Sequence, residues 1–163
     1  MVGGVDIQSP EFRRELDDLT DLYYESPDPF DGVVETLELF FDVGLDIGLV
    51  THASEDWTNK KRKEGGFMGK FKMVHCIDTL GTKDKYEWWE AAHKIEVPPQ
   101  QLIIVGDSWK SDIQPAEEMG VPLDQIFRVK TDYGLANKGR VLGVREIENF
   151  NDLPFAVIYN LSK

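Results

Sequence analysis

Three short segments hold the residue types that could do chemistry. Gly106-Asp107-Ser108-Trp109-Lys110-Ser111-Asp112 follows the apolar run Leu102-Ile103-Ile104-Val105 and sets two carboxylates five residues apart. Fully extended, five residues span about 17 Å, but a glycine-led turn can fold both carboxylates towards one point. Two converging acids need a cation or a shared proton, and hard oxygen donors suit Mg²⁺. A helix N-cap followed by a first-turn acid would give the same two residues. Thr51-His52-Ala53-Ser54 follows Leu49-Val50. A hydroxyl at a strand end beside a helix N-terminus is placed for an anionic oxygen, because the backbone N–H groups there lack partners. A plain strand end at Thr51 with Ser54 capping the next helix accounts for it as well. Between these segments Gly81-Thr82-Lys83-Asp84-Lys85 enters a helical pattern. A lysine at a helix start opposes the macrodipole, which points to an anion nearby, although exposed lysines are common.

The elements that must position these residues follow from periodicity. Ser9-Pro10 starts a helix whose Phe12, Leu16, Leu19 and Tyr23 make a one-sided apolar stripe, ended by Ser26-Pro27-Asp28-Pro29. Asp31 is placed as the N-cap of a second helix through Val33, Val34, Leu37, Phe40 and Phe41, with Gly44 as its stop. Residues 45–50 predict a short strand, Ser54 a capped helix to Gly65-Gly66, residues 73–77 a strand, and residues 85–95 a helix closed by Pro98-Pro99. Residues 102–105 are continuously apolar, as expected of a parallel strand covered on both faces. A short helix to Met119-Gly120 and a strand over 126–129 follow, then a loop over 132–143. Residues 151–161 fit a closing helix or a strand. Four strands alternating with helices predict an open parallel α/β sheet, with ligand chemistry at the carboxyl ends of the strands.

Composition narrows the partners. With 163 residues the chain is one domain's length, and 41% hydrophobic content lets it fold without a disulfide or metal staple. Eighteen basic against thirty acidic residues leave a net charge of −12, which repels nucleic acid and anionic membrane surfaces. Cys76 stands alone in an apolar run and reads as a buried strand thiol, so no internal disulfide can form. With neither a signal-like N-terminus nor an 18-residue apolar stretch, the expectation is a cytoplasmic protein.

Taken in order, these segments resemble the haloacid dehalogenase-like superfamily, mostly phosphatases, over about residues 29–129. Pro29-Phe30-Asp31-Gly32-Val33-Val34-Glu35-Thr36-Leu37 is similar to the family's entry into its core from the cap, and Gly48-Leu49-Val50-Thr51 to its second motif. Lys83 matches the third motif, with Lys85 as the alternative, and Gly106, Asp107 and Asp112 match the fourth. The resemblance implies a Rossmann-like three-layer α/β/α parallel sheet in one domain, 1–163, with residues 1–26 a cap-like helical segment and 29–163 the core. It implies a Mg²⁺-dependent phosphatase acting on a small phosphate ester. Thr51 and Lys83 would be catalytic; Thr51, with Lys83 and His52 beside it, would bind the phosphoryl group, and Asp107 and Asp112 would hold the metal.

The chain departs from the family at its first motif, Asp-x-Asp-x-Thr, whose first Asp is the nucleophile and whose second is the general acid and base. No Asp-x-Asp occurs upstream of Thr51, and Asp6-Ile7-Gln8-Ser9-Pro10 puts Gln where the acid/base should stand. Residues 10–26 are more similar to a cap's last helix than to a nucleophile strand. The expectation is a chain that begins inside the cap with a truncated or degenerate catalytic motif. The alternative function is a non-catalytic phosphate- and metal-binding or interaction module. A sheet lacking its central strand would also favour a homo-oligomer or a second chain. Gly65-Gly66-Phe67-Met68-Gly69-Lys70 fails as a P-loop because Phe71 replaces the needed Ser or Thr. His52, His75 and His93 lack zinc-ligand spacing. Of the adjacent Trp88 and Trp89, about 100° apart on a helix, one packs and the other is exposed.

Overall fold

The apolar runs become short parallel strands. In a computed structural model of the protein, β1 (Gly48–Thr51) pairs with β2 (Met73–Cys76), setting Val50 opposite His75. A second set, β3 (Ile104–Gly106), β4 (Ile126–Val129) and β5 (Arg145–Ile147), pairs in that order, with Val105 opposite Phe127 and Arg128 opposite Glu146. The structure describes residues 7–24, 28–67, 69–77, 81–130 and 143–161.

Local chemistry sets the helix ends. In α1 (Pro10–Tyr24) the Ser9 hydroxyl accepts from Phe12 N at 3.0 Å. In α3 (Glu55–Glu64) Ser54 accepts from Trp57 N at 3.3 Å. In α4 (Lys85–Ile95) the Asp84 carboxylate accepts from Tyr86 N at 2.8 Å. The start of α2 (Val33–Asp42) corrects the expected Asp31 cap: Gly32 holds the N-cap position at φ 81°, without a side-chain bond. A β-carbon on Gly32 would collide with Asn151, so both sterics and backbone angle require glycine here. Beyond α5 (Gln114–Met119), the C-terminal apolar run resolves as a helix, α6 (Leu153–Leu161).

Two apolar layers cover the strands. On one face Trp88 and Ala92 of α4 and Ala116 and Met119 of α5 pack on Ile104, Ile126 and Val50. On the other, Phe40 of α2 and Leu153 and Val157 of α6 pack on Phe127, Ile147, Ile47 and Val105. This is the double cover that a continuously apolar strand such as β3 requires. Trp88 is buried and Trp89 exposed, as the helical angle predicts.

Three features differ from the sequence expectation. Among the described residues the strands pair as two parallel sheets, β1-β2 and β3-β4-β5, where a single sheet was expected. β5 was not expected; two of its three residues are charged, and Glu146 meets Arg128 at 3.6 Å and Lys130 at 3.5 Å from the neighbouring strand's end. On the α1 stripe Phe12 is half-buried, while Leu16 and Leu19 are 51% and 64% exposed. Cys76 is half-buried, its thiol 3.6 Å from the Thr58 hydroxyl. The Pro27 breaker and the loop over 132–142 lie outside the described residues. Among the described residues no helix is long and apolar enough to cross a membrane.

Candidate functional site

The carboxyl ends of β1 and β3 meet at Lys83. From the turn ahead of α4, its ammonium donates to the Val50 carbonyl at 3.1 Å and to Asp112 Oδ1 at 2.5 Å. Both side chains are nearly enclosed, Lys83 at 11% and Asp112 at 6% exposure. The Trp88 ring lies beside the ammonium, 5.0 Å from Nζ to its centroid, adding a cation–π contact. A buried carboxylate is retained only where its charge is met, and Asp112 meets a second donor as well: Ser108 N donates to Oδ2 at 3.0 Å.

The turn after β3 builds this cradle. Ser108's carbonyl accepts from both Asp112 N at 3.0 Å and Ile113 N at 3.2 Å, so the chain over Trp109–Ile113 takes a wide helical turn before α5. Wide turns of this kind cluster at functional sites because they re-aim a side chain. Here the turn drives Asp112 back against the strand. A β-carbon on Gly106 would stand 2.5 Å from Asp112 Cβ and 2.6 Å from Cγ, closer than atoms can approach. Gly106 is therefore demanded by the packing of Asp112. Trp88 Nε1 donates to the Ser111 carbonyl at 2.9 Å and ties α4 to the same turn.

Three other expected residues lie at the carboxyl ends of the same strands, β1 and β3. Thr51 ends β1 with its hydroxyl accepting from Ala53 N at 3.1 Å and its carbonyl from Ile77 N at 2.8 Å. His52 follows, exposed. Asp107 is half-buried at the end of β3, and its carbonyl accepts from Arg128 Nε at 3.4 Å. The lysine that reaches the cluster is Lys83; Lys85 instead lies over the Tyr86 ring, 5.3 Å from its centroid. Asp6 lies outside the described residues. Sequence reasoning did not single out Gly106's steric role, Ser108, Trp88 or Arg128. Arg128 did carry a signal, a lone cation inside the apolar strand 126–129.

A second titratable cluster stands apart, between β2 and α4. His75 is buried, with Nε2 2.7 Å from Glu87 and Nδ1 2.9 Å from the Lys94 ammonium, which also meets Glu90 at 2.7 Å. An ammonium can only donate, so Nδ1 accepts and Nε2–H donates to Glu87. The Lys94 ammonium holds Glu90 below the usual carboxylate range, chiefly through its hydrogen bond. Among the described residues, His75, Glu87 and Glu90 have ligand atoms within 4.8 Å of one another, but Lys94 already fills the cation's role there. A hollow of about 460 Å³ lined by Phe30, Asp31, Gly32, Glu35 and Asn151 shares no residue with either cluster.

Known proteins resemble this chain in sequence and in fold. The sequence model of a family described as haloacid dehalogenase-like hydrolase matches residues 7–124. A phosphoglycolate phosphatase of Thiobacillus denitrificans is 34% identical over 114 residues, which cover 69% of this chain and 47% of that protein. The chain thus spans about half the length of this curated relative. Among solved structures, a HAD phosphatase from Thermococcus onnurineus matches at 20% identity and a TM-score of 0.67, over 90% of this chain and 69% of the other. A putative beta-phosphoglucomutase from Thermotoga maritima matches at 16% identity and a TM-score of 0.72, over 91% and 69%. A 2-haloacid dehalogenase from Pseudomonas syringae matches at 22% and 0.67, over 93% and 64%. At these identities the structural likenesses show the fold alone.

Proposed function

This chain belongs to the haloacid dehalogenase-like hydrolases, and we propose that it carries the phosphate- and cation-holding half of a cytoplasmic phosphohydrolase acting on a small phosphate ester. The observation that carries this reading is the Lys83 ammonium fixed between the end of β1 and Asp112. A buried, oriented cation at two strand ends is what a transferring phosphoryl group needs, because charge stabilisation does most of the work in that reaction. In this reading Thr51, one residue after the Val50 carbonyl that holds the ammonium, and His52 after it complete the phosphate-binding end of β1.

Asp107 and Asp112 suit Mg²⁺ by donor chemistry: both are hard carboxylates on one turn. Each Asp112 oxygen holds one partner, Lys83 or Ser108 N, and a carboxylate has lone pairs left for another. Mg²⁺ held there would neutralise phosphoryl charge. The chain's own residues do the rest. Lys83 binds the phosphoryl oxygens, and Gly106 and Ser108 fix Asp112. Burying the pair strengthens each charge contact.

The Lys83–Asp112 pair, in which the cation is already met by a carboxylate, favours a second reading of the same site, binding without turnover. One experiment separates the two. The chain is incubated with phosphoglycolate or p-nitrophenyl phosphate, with and without Mg²⁺, and phosphate release is followed beside the melting temperature. Mg²⁺-dependent release lost in Asp107→Ala supports hydrolysis. A rise in melting temperature with inorganic phosphate and Mg²⁺, without release, supports binding alone. Neither effect at millimolar ligand defeats both readings.

A further inference from the structure

α6 is apolar all round. Its nine residues, Leu-Pro-Phe-Ala-Val-Ile-Tyr-Asn-Leu, include no charge in a chain that is 29% charged. One side is committed to the core, where Leu153 and Val157 pack with Phe40, Phe127 and Ile147. At about 100° per residue, Phe155, Ile158 and Tyr159 fall on the opposite side. They are 78%, 58% and 57% exposed. On the same side of the sheet, α2 leaves Leu39 and Val43 exposed next to its buried Phe40. A surface helix turns charged and polar residues outward, whereas a helix apolar on every side is one that is covered on every side. The exposed leucines of α1 differ, because they stand among arginines and acids.

We propose that this face pairs with a second copy of the chain, α6 against α6 about a two-fold axis. Charge selects that partner. Two copies at −12 each repel, and they approach at least cost where neither surface carries a charge. A lipid surface does not fit, since a helix that lies on a membrane needs basic residues on its polar side and α6 has none. Size agrees. Taking about 200 Å² for an aromatic side chain, Phe155 and Tyr159 leave about 270 Å² open, and Ile158 with the exposed Leu161 brings the face to about 500 Å². A two-fold axis uses each side chain twice and buries about 1,000 Å² in all, the lower end of specific interfaces. Phe155 and Tyr159, four residues apart, form the ridge that enters the mate's groove. The Arg145 guanidinium lies 5.2 Å from the Tyr159 ring centroid, which holds that side chain and lowers the ordering cost of pairing. The proposal goes beyond the phosphate reading and uses none of its residues.

Sedimentation equilibrium of the whole chain tests this. A reversible monomer–dimer equilibrium is expected, with a Kd of about 1–100 µM for a contact of this size. Raising NaCl from about 0.05 to about 0.5 M should tighten it, because salt screens the repulsion between acidic copies. Phe155→Ala should weaken the dimer about tenfold or more, as truncating a central aromatic anchor does. Ile158→Lys should leave a monomer whose circular dichroism is unchanged, since the side chain is mostly in solvent. Leu19→Lys, on the exposed stripe of α1, should leave the equilibrium as it was. Four results would overturn the proposal: a monomer at about 200 µM, above the whole expected Kd range; a dimer that salt loosens; a dimer that Phe155→Ala leaves intact; or one that Leu19→Lys breaks.

Discussion

Lys83→Met is the sharpest test of the cluster as a physical object. The substitution keeps the apolar stem beside Trp88 and removes the ammonium. It leaves Asp112, 6% exposed, with Ser108 N as its one remaining donor of the two described. Breaking a buried ion pair from one side costs about 3–5 kcal/mol, because a charge stays enclosed without its partner. Asp112→Asn keeps the shape and the Ser108 contact and leaves the ammonium on the Val50 carbonyl; losing a hydrogen bond to a charged group costs about 1.5–3 kcal/mol. The double variant buries neither charge, so its loss should fall short of the sum by about 2 kcal/mol. Urea unfolding followed by circular dichroism reads this directly. With slopes of about 1–3 kcal/mol per molar, Lys83→Met should lower the midpoint by about 1 M or more. Additivity within about 0.5 kcal/mol, or a Lys83→Met loss below about 1 kcal/mol, would refute the reasoning, since that is how exposed pairs behave.

Other perturbations follow from single contacts. Gly106→Ala drives a β-carbon to 2.5 Å from Asp112 Cβ and should cost about 1–3 kcal/mol, read as a melting temperature lower by about 3–10 °C. An unchanged melt would mean that Asp112 is free to move. Thr36 is buried and its hydroxyl donates to the Phe150 carbonyl at 3.2 Å, joining α2 to the segment before α6. Thr36→Val should cost about 1–2 kcal/mol in the same urea assay, and a stabilised variant would discount that bond.

Much of this was legible because some residues can be only one thing. The run 102–105 is apolar on both faces, and the Gly-Asp that follows leaves it no further strand, so the end of β3 and Asp112's place beyond it could be read directly. The helix expected over residues 85–95 is α4, although its Asp84 cap and the separation of Lys83 from Lys85 needed coordinates. What stayed hidden is non-local. β5 is short and carries two charges: Glu146 pairs with Arg128 and Lys130, eighteen and sixteen positions away, and Arg145 lies over the Phe127 and Tyr159 rings. The sheet divides between β1 and β3, and periodicity within each strand says nothing about what lies on its edge. Leu16 and Leu19 of the α1 stripe have the right spacing yet are more than half exposed, because spacing describes a face and not how deeply it is covered.

The Lys83–Asp112 contact also bears on how the proposed ligands would reach the site. As it stands, the pair is self-neutralising: the cation meant for a phosphoryl group is held by the carboxylate meant for a metal. An anion that draws Nζ away leaves Asp112 buried with an unmet charge, a cost of several kcal/mol that weakens phosphate binding on its own. A divalent cation on Asp112 meets that charge and frees the ammonium. Phosphate and Mg²⁺ should therefore each tighten the other's binding, by the same factor, in the range of about 5–150-fold. Calorimetric titration of inorganic phosphate with and without Mg²⁺, and of Mg²⁺ with and without phosphate, measures both sides of that equality. Asp112→Asn should raise phosphate affinity without metal and abolish the coupling. If phosphate binds Lys83 equally well with and without Mg²⁺, the two charges are not in competition and the pair is structural.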